Sequence, residues 1–341
     1  MPTFHTMVVT EVLSERTGLQ RVRVAPDGQD PARAYVLTDL TGPVAVGDEV
    51  VVNTTAVDLA LGTGGWHVVH WNLSRRDWSG GSGGHVMKVR YTSLQADVGV
   101  DEEHHPEAPS DLPATPVVAC SVHSQVGVVA AAIAAIRPGT RVAYVMTDGG
   151  ALPLALSDLV HALRDRGLLV GSVTAGNAFG GDREAVAMPS ALTIARHALD
   201  AEVVVVGMGL GGVGTGTRLG YSGLEQAQVL DAAAWLGGRP VVCVRASSGD
   251  ARPRHQGVSH HTTTVLDATR SSVDVPVPAE LDLDVPARHQ RVDVTAPDVA
   301  AALHSAGVKV TTMGRGPDED PLFFATAACA GVHAASLLVP S

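Results

Sequence analysis

Two stretches of the chain concentrate residue types that hold or transform small molecules. The first is VVVVGMGLGGVGTGTRLG, residues 203–220, where Gly207, Gly209 and Gly212 satisfy G-x-G-x-x-G directly after an apolar run of strand type. Backbone without Cβ atoms can approach a ligand closely. The amides of Gly207, Gly209, Gly212, Gly214 and Gly216, the hydroxyls of Thr215 and Thr217 and the Arg218 guanidinium form a set suited to a phosphate or carboxylate. The second is ARPRHQGVSHHTTTVL, residues 251–266, with His255, His260 and His261. Imidazole titrates near neutral pH, which makes His260 and His261 candidate general acids or bases. A metal ion shared by this pair is disfavoured, because residues 259–266 read as extended and successive strand side chains face opposite sides. A site built from His255, one of the pair, and Asp148 or His123 is the remaining metal reading, and no metal is the expectation.

Further candidates follow other apolar runs. Asp148, in MTDGGALPL, and His123, in VHSQ, are candidate catalytic groups, while Asn177, Gly180 and Gly181 in AGNAFGGD are candidate ligand contacts. Asp182 and Glu184 can work as a carboxylate pair or serve as plain loop acids. Each has a structural alternative: Asp148 can open an Asx turn, Ser124 can N-cap a helix, and the glycine loop can pack against a neighbouring helix or subunit. G-x-S-x-G is absent, which argues against a hydrolase nucleophile elbow. A dinucleotide fold starts its helix inside the fingerprint and places an acid about 20 residues on. Here Ser222 and Glu225 read as a capping box that starts the helix later, and Arg245 stands at the end of the next strand, suited to a 2′-phosphate. A nicotinamide or flavin nucleotide is therefore the alternative ligand to a generic anion.

The elements that position these residues alternate. Buried-strand patterns at 117–122, 141–147, 168–174, 202–206, 241–245 and 308–312 are interleaved with helical patterns at 125–136, 156–166, 189–199, 224–236 and 297–306. A final helix, 321–338, begins with Pro321 behind three acids. Continuous apolar strands between helices imply a parallel sheet covered on both faces, so 117–341 is expected to be a Rossmann-like three-layer α/β domain. His123, Asp148, Asn177, Gly180, Gly181, Asp182 and the glycine loop then fall just after the carboxyl end of a strand, the edge where open α/β sheets bind ligands.

Residues 1–95 carry a different pattern. Short β-branched runs at 7–13, 20–24, 33–37, 49–53 and 67–72, broken by glycine corners, predict a small all-β barrel or sandwich, with two tryptophans filling it and a third closing an end. HVMKVRYTSLQ, residues 85–95, reads as a last barrel strand or a strap. The acidic, proline-rich stretch through residues 96–116 reads as a linker.

Composition narrows the partners. The formal charge of -11, and the eight basic against nine acidic residues in 1–95, disfavour nucleic acid and anionic membrane surfaces. No apolar run reaches the roughly 18 residues of a membrane span, and MPTFHTMVVTEV lacks the basic and apolar regions of a secretory signal, so a cytoplasmic protein is expected. Cys120, Cys243 and Cys329 sit in apolar runs and read as small buried hydrophobes. The expected partner is a small anionic molecule, phosphorylated ones included, with a homo-oligomer as the expected assembly. These residues fit an enzyme and a non-catalytic scaffold alike.

The segments GHVMKVRYTSLQ, NAFGGDREAVAMPSAL, GMGLGGVGTGTRLGYSGLEQ, VSHHTTTVL and TMGRGPDEDPLFF resemble those of a bacterial family, the domain of unknown function 3866 family. The resemblance spans nearly the whole chain. It implies no activity and transfers no catalytic residue.

Overall fold

β-branched residues at alternate positions give one apolar face per strand, and in the N-terminal part those faces close on themselves. The computed structural model describes residues 1–26, 28, 30–80 and 83–339, so Gly81 and Ser82 of the SGGSGG loop lie outside the described residues. Two units separate, Met1–Gly99 and Val100–Ser341. In the first, β1 (Phe4–Arg16), β2 (Leu19–Ala25), β3 (Ala32–Val36), β4 (Glu49–Asn53) and β5 (Trp66–Asn72) form a closed barrel in the order β1-β2-β3-β5-β4. The 13-residue β1 carries register shifts at Val9/Glu11 and Val12/Ser14, and it pairs with both β2 and β4. Such bulges bend a strand enough to close a small sheet. Helical turns α1 (Thr38–Thr41) and α2 (Thr55–Asp58) bridge the barrel strands.

The barrel interior is Met7, Val9, Val22, Val24, Ala34, Val36, Val44, Val50, Val52 and Val69. Tryptophan does not fill it, against expectation. In β5 the inward positions are His67 and Val69, whereas Trp66 lies outside and stacks on Tyr35 at 4.6 Å, with Arg33 over its ring. The 85–95 segment is not a sixth barrel strand either. Its β6 (Met87–Lys88) pairs only with β7 (Ala96–Asp97).

In the second unit α3 (Asp101–His104) precedes a sheet built from β8 (Pro116–Cys120), β9 (Val142–Thr147), β10 (Gly171–Thr174), β11 (Arg183–Glu184), β12 (Val203–Met208), β13 (Arg239–Cys243), β16 (Asp274–Val277) and β17 (Gln290–Asp293). A hairpin of β14 (Ala246–Ser247) and β15 (Gly257–Val258) stands apart from it. The helices are α4 (His123–Ile136), α5 (Asp158–Asp165), α6 (Met188–His197), α7 (Glu225–Trp235), α8 (His260–Ala268), α9 (Val299–Ser305) and α10 (Pro321–Ser336). The sheet runs β11-β10-β9-β12-β8-β13-β16-β17, with every pairing parallel.

Strand alternation splits the core in two. Val118, Cys120, Tyr144, Met146, Val203 and Val205 face α4, α5, α9 and α10, while Val117, Ala119, Ala143, Val145, Val204 and Val206 face α6, α7 and α8. Each wholly buried valine contributes roughly 1.5–3 kcal/mol relative to exposure, so register in this sheet is strongly specified. The three-layer α/β domain behind a β-barrel is as the patterning implies. All three cysteines are buried and free. No helix among the described residues is long and apolar enough to cross a membrane.

Several local readings give way to tertiary context. Residues 308–312 are not a strand: Val308 and Val310 are buried without ladder partners, and Val310 lies against Gly127 of α4. The strands that the pattern misses include β16 and β17, obscured in sequence by Pro276 and Pro278, since proline lacks the donor a ladder uses. Residues 260–268 form α8 instead of an extended segment, because Ser259 N-caps it by accepting from the His261 amide, and this outweighs the β-branched run Thr262–Val265. Ser124 does not cap α4, which starts at His123. There the Gln125 Oε1 accepts the Ser121 and Val122 amides at 2.9 and 3.3 Å. The stretch from Val100 to Thr115 belongs to the α/β unit, with Leu112 fully buried and its amide on the Leu236 carbonyl.

Candidate functional site

The connections leaving β8 and β12 fix where a crevice must lie. These strands are neighbours, yet β8 leads into α4 on one face of the sheet and β12 leads toward α7 on the other. Ligands of open parallel sheets bind at such a switch point, beyond the carboxyl ends. Around it stand the loops after β9, β12 and β13.

The glycine loop 207–220 does several separate jobs. A Cβ on Gly150 would lie 2.6 Å from the Gly209 carbonyl oxygen, a Cβ on Gly209 would strike the Ala151 carbonyl, and the Ala151 amide donates to Leu210 at 2.7 Å. Gly150 and Gly209 therefore let two loops cross at backbone contact. Backbone cannot yield as a side chain can, so Gly209→Ala should cost roughly 1–3 kcal/mol in urea unfolding, whereas Gly62→Ala, in open space, should change stability by less than about 0.5 kcal/mol. Equal effects would contradict the crossing. Further on, Thr215 donates to the Gly220 carbonyl at 3.0 Å and Thr217 accepts the Gly220 amide at 3.1 Å, so both hydroxyls close the loop on itself. Arg218 reaches Asp267 of α8 at 2.9 Å as an exposed ion pair. The amides of Gly211, Gly212, Gly214 and Gly216 have no intramolecular acceptor among the described residues. Gly207 belongs to β12, and a Cβ on Gly216, at φ +81°, would lie 3.5 Å from Arg254 Cζ.

The capping box does not form. Ser222 accepts the Val213 amide at 3.0 Å, and α7 begins only at Glu225, clear of the fingerprint. The Glu225 carboxyl turns the other way and accepts the Thr147 hydroxyl at the end of β9. Burial, reinforced by the nearby Asp148 charge and only partly offset by Thr147, pushes its pKa up to about 7. Asp148 itself holds the Asn177 amide at 2.9 Å. The loop thus presents two carboxyl groups of differing environment, a pattern that supports proton transfer.

Other candidates have partners within the protein. The Gly180 and Gly181 amides go to Glu184 at 2.7 and 3.3 Å, and Asp182 accepts from Ser172 and Arg164, so neither acid is free to pair with the other as a catalytic couple. His123 is buried, its ring held between Ser157 Oγ at 2.7 Å and the Met208 carbonyl at 3.1 Å. Burial lowers its pKa, and the Met208 carbonyl offsets this only in part.

On the β13 side, arginine and histidine gather. Arg252 grips Asp250 through two hydrogen bonds at 2.9 and 2.7 Å, holding that carboxyl far below its usual range. Arg315 is committed to the buried Asp320 at 3.1 Å. Arg245 has no carboxylate partner among the described residues. Its Nη1 meets His261 Nδ1 at 2.8 Å, and burial with the charges of Arg252, Arg254 and Arg315, partly offset by the Asp250 charge, lowers its pKa to about 10, leaving it charged at neutral pH. His255, on a 3-10 turn, and His260 and His261, on the first turn of α8, bring their ring centroids within 4.4–5.1 Å of one another. Tyr221 stacks on His261 at 3.6 Å and donates to its carbonyl at 3.0 Å. Burial, then Arg245, pushes His255 down to about 4 and His261 down to about 2, so both rings are neutral at physiological pH.

Glu225 and Tyr221 escaped the reading of the sequence as functional groups, and Arg245 entered it only as a 2′-phosphate ligand. Glu225 shows no local signal, since Thr147 is 78 residues away. The pairing of His260 with His261 was visible, but its geometry depended on the helix.

A doubly wound parallel α/β domain with an arginine- and histidine-lined edge, preceded by a five-stranded barrel, defines the class of protein. The chain belongs to the DUF3866 family, described as a protein of unknown function, whose profile matches residues 33–331. No curated protein and no solved structure matches it.

Proposed function

We propose that the α/β unit binds a small anionic molecule, phosphorylated ones included, at the carboxyl edge of its sheet. The observation that carries this reading is Arg245: a half-buried guanidinium, charged, with its pKa depressed by burial and by three other arginines, only partly offset by Asp250, a carboxylate that Arg252 already grips and that makes no ion pair with Arg245 among the described residues. Desolvating such a cation is costly unless an anion joins it. The free amides of Gly211, Gly212, Gly214 and Gly216 add donors, with Gly216 beside Arg254. Arg218 is a lesser contributor, because its charge is already met by Asp267.

Glu225 and Asp148 supply proton transfer to a bound substrate, Glu225 being the group whose proton leaves near neutral pH. That role makes the protein an enzyme of small-molecule metabolism. Titration calorimetry with inorganic phosphate and pyrophosphate tests the binding. Arg245→Gln should weaken the anion about 10- to 100-fold, the range expected for a charge-assisted hydrogen bond, and Arg218→Ala less than about threefold. Unchanged affinity in Arg245→Gln, or no binding of either anion at millimolar concentration, sinks the assignment.

A second reading rests on Leu210, Val213 and Leu219, three exposed apolar side chains in the same glycine loop. They suit packing against another copy of the chain, and light scattering that reports a monomer would remove it.

A further inference from the structure

We propose that His255, His260 and His261 bind a divalent transition-metal ion, zinc being the ion this donor set suits best. The three residues offer ring nitrogens that lie within 4.8 Å of one another. Tetrahedral zinc with Zn–N distances of about 2.0–2.1 Å places ligand nitrogens roughly 3.4 Å apart, so small rotations of the rings close the set. Three imidazoles with one open position form a zinc arrangement that keeps room for water or an anionic oxygen.

The outer nitrogens support the assignment. His255 Nδ1 meets Ser259 Oγ at 2.7 Å, and His260 Nδ1 meets the Arg254 carbonyl at 3.3 Å. A ligating histidine characteristically donates its other N–H to such a partner, which fixes the tautomer and aims the opposite nitrogen at the ion. In His260 that opposite nitrogen, Nε2, is buried and has no hydrogen-bond partner. A buried unpaired acceptor costs free energy that a bound ion recovers. Rigidity comes from the same elements: Ser259 caps α8 through the His261 amide, and Tyr221 lies flat on the His261 ring with an interplanar angle of 2°.

Arg245 is the competing group. Its Nη1 occupies His261 Nδ1 at 2.8 Å, so zinc binding through that nitrogen displaces the guanidinium. The metal reading stands on the histidines alone.

The full chain, stripped with a chelator, is titrated with zinc against a chromophoric chelator and with cobalt(II), whose visible bands report tetrahedral nitrogen coordination. One equivalent of zinc at micromolar affinity or tighter is expected, together with tetrahedral cobalt bands. His260→Ala should weaken zinc at least about tenfold, as loss of one of three protein ligands does. The double variant His255→Gln, His260→Gln should abolish both signals while circular dichroism stays that of the parent. Arg245→Gln should keep or tighten zinc while weakening phosphate about 10- to 100-fold, so the two proposals fail independently. Absence of stoichiometric zinc in the parent, or retention of zinc and cobalt bands by the folded double variant, overturns the proposal.

Discussion

Replacing Asp320 by alanine should lower the free energy of unfolding by about 3–5 kcal/mol, the cost of breaking a buried ion pair from one side. Asp320 is 0% exposed. Its carboxylate accepts from Ser247 Oγ at 2.6 Å, the Ser248 and Gly249 amides at 2.8 and 3.2 Å, and Arg315 Nε at 3.2 Å. Burial by itself pushes the carboxyl up, but these four donors outweigh it and hold the pKa below the ordinary 3.8. Alanine leaves two amides, a hydroxyl and a guanidinium without their acceptor. Asparagine keeps an acceptor but loses the charge, so Asp320→Asn should lose about half as much.

The sign of the pH dependence follows from the lowered value. The contribution is fully present above pH 3.8 and fades as pH falls through the folded-state pKa, so the gap between parent and Asp320→Asn should narrow only in acid. Urea unfolding at pH 7 and pH 3 measures it, and a loss under about 1 kcal/mol at pH 7 would refute the role. The same substitution frees the 247–249 loop and Arg315 beside Arg245. Anion binding should therefore weaken in any Asp320 variant that still folds.

Glu225→Gln should act in the opposite direction. Between pH 4.5, its ordinary value, and about 7 the folded protein keeps the Glu225 proton and the unfolded chain gives it up, so folding stability falls as pH rises through that window. Glutamine carries no such penalty and can still accept the Thr147 hydroxyl. The variant should match the parent at pH 4 and exceed it at pH 8 by on the order of 1–3 kcal/mol, the upper end being the full shift and the lower end allowing for residual solvent contact. Chemical unfolding at the two pH values decides this, and a difference that does not vary with pH would rule it out. A carboxyl that weakens the fold at neutral pH has the profile of a functional group, because burial and a like charge are how proteins tune carboxyls for proton transfer. Any activity found should accordingly be lost in the glutamine variant while anion affinity is retained.

Much of the framework is legible in the chain itself, and particular residues show why. Val22 and Val24, or Val204 and Val206, take sides by a period of two that needs no knowledge of distant residues, and glycines crowd after the strands where backbone must come close. Periodicity and turn chemistry thus determined the barrel and the parallel sheet with glycine-rich loops at its carboxyl edge. Tertiary structure alone decided which groups meet there. Ser259 turned a β-branched run into α8 and so placed His260 and His261 beside His255. Glu225 left its own helix cap for Thr147, and Pro276 entered a strand that pairs along 274–277 with β17 and through Asp274 with Val241 of β13. Local signals act within a few residues, whereas a site is a set of contacts across tens of residues, whose energies exist only after the chain has packed.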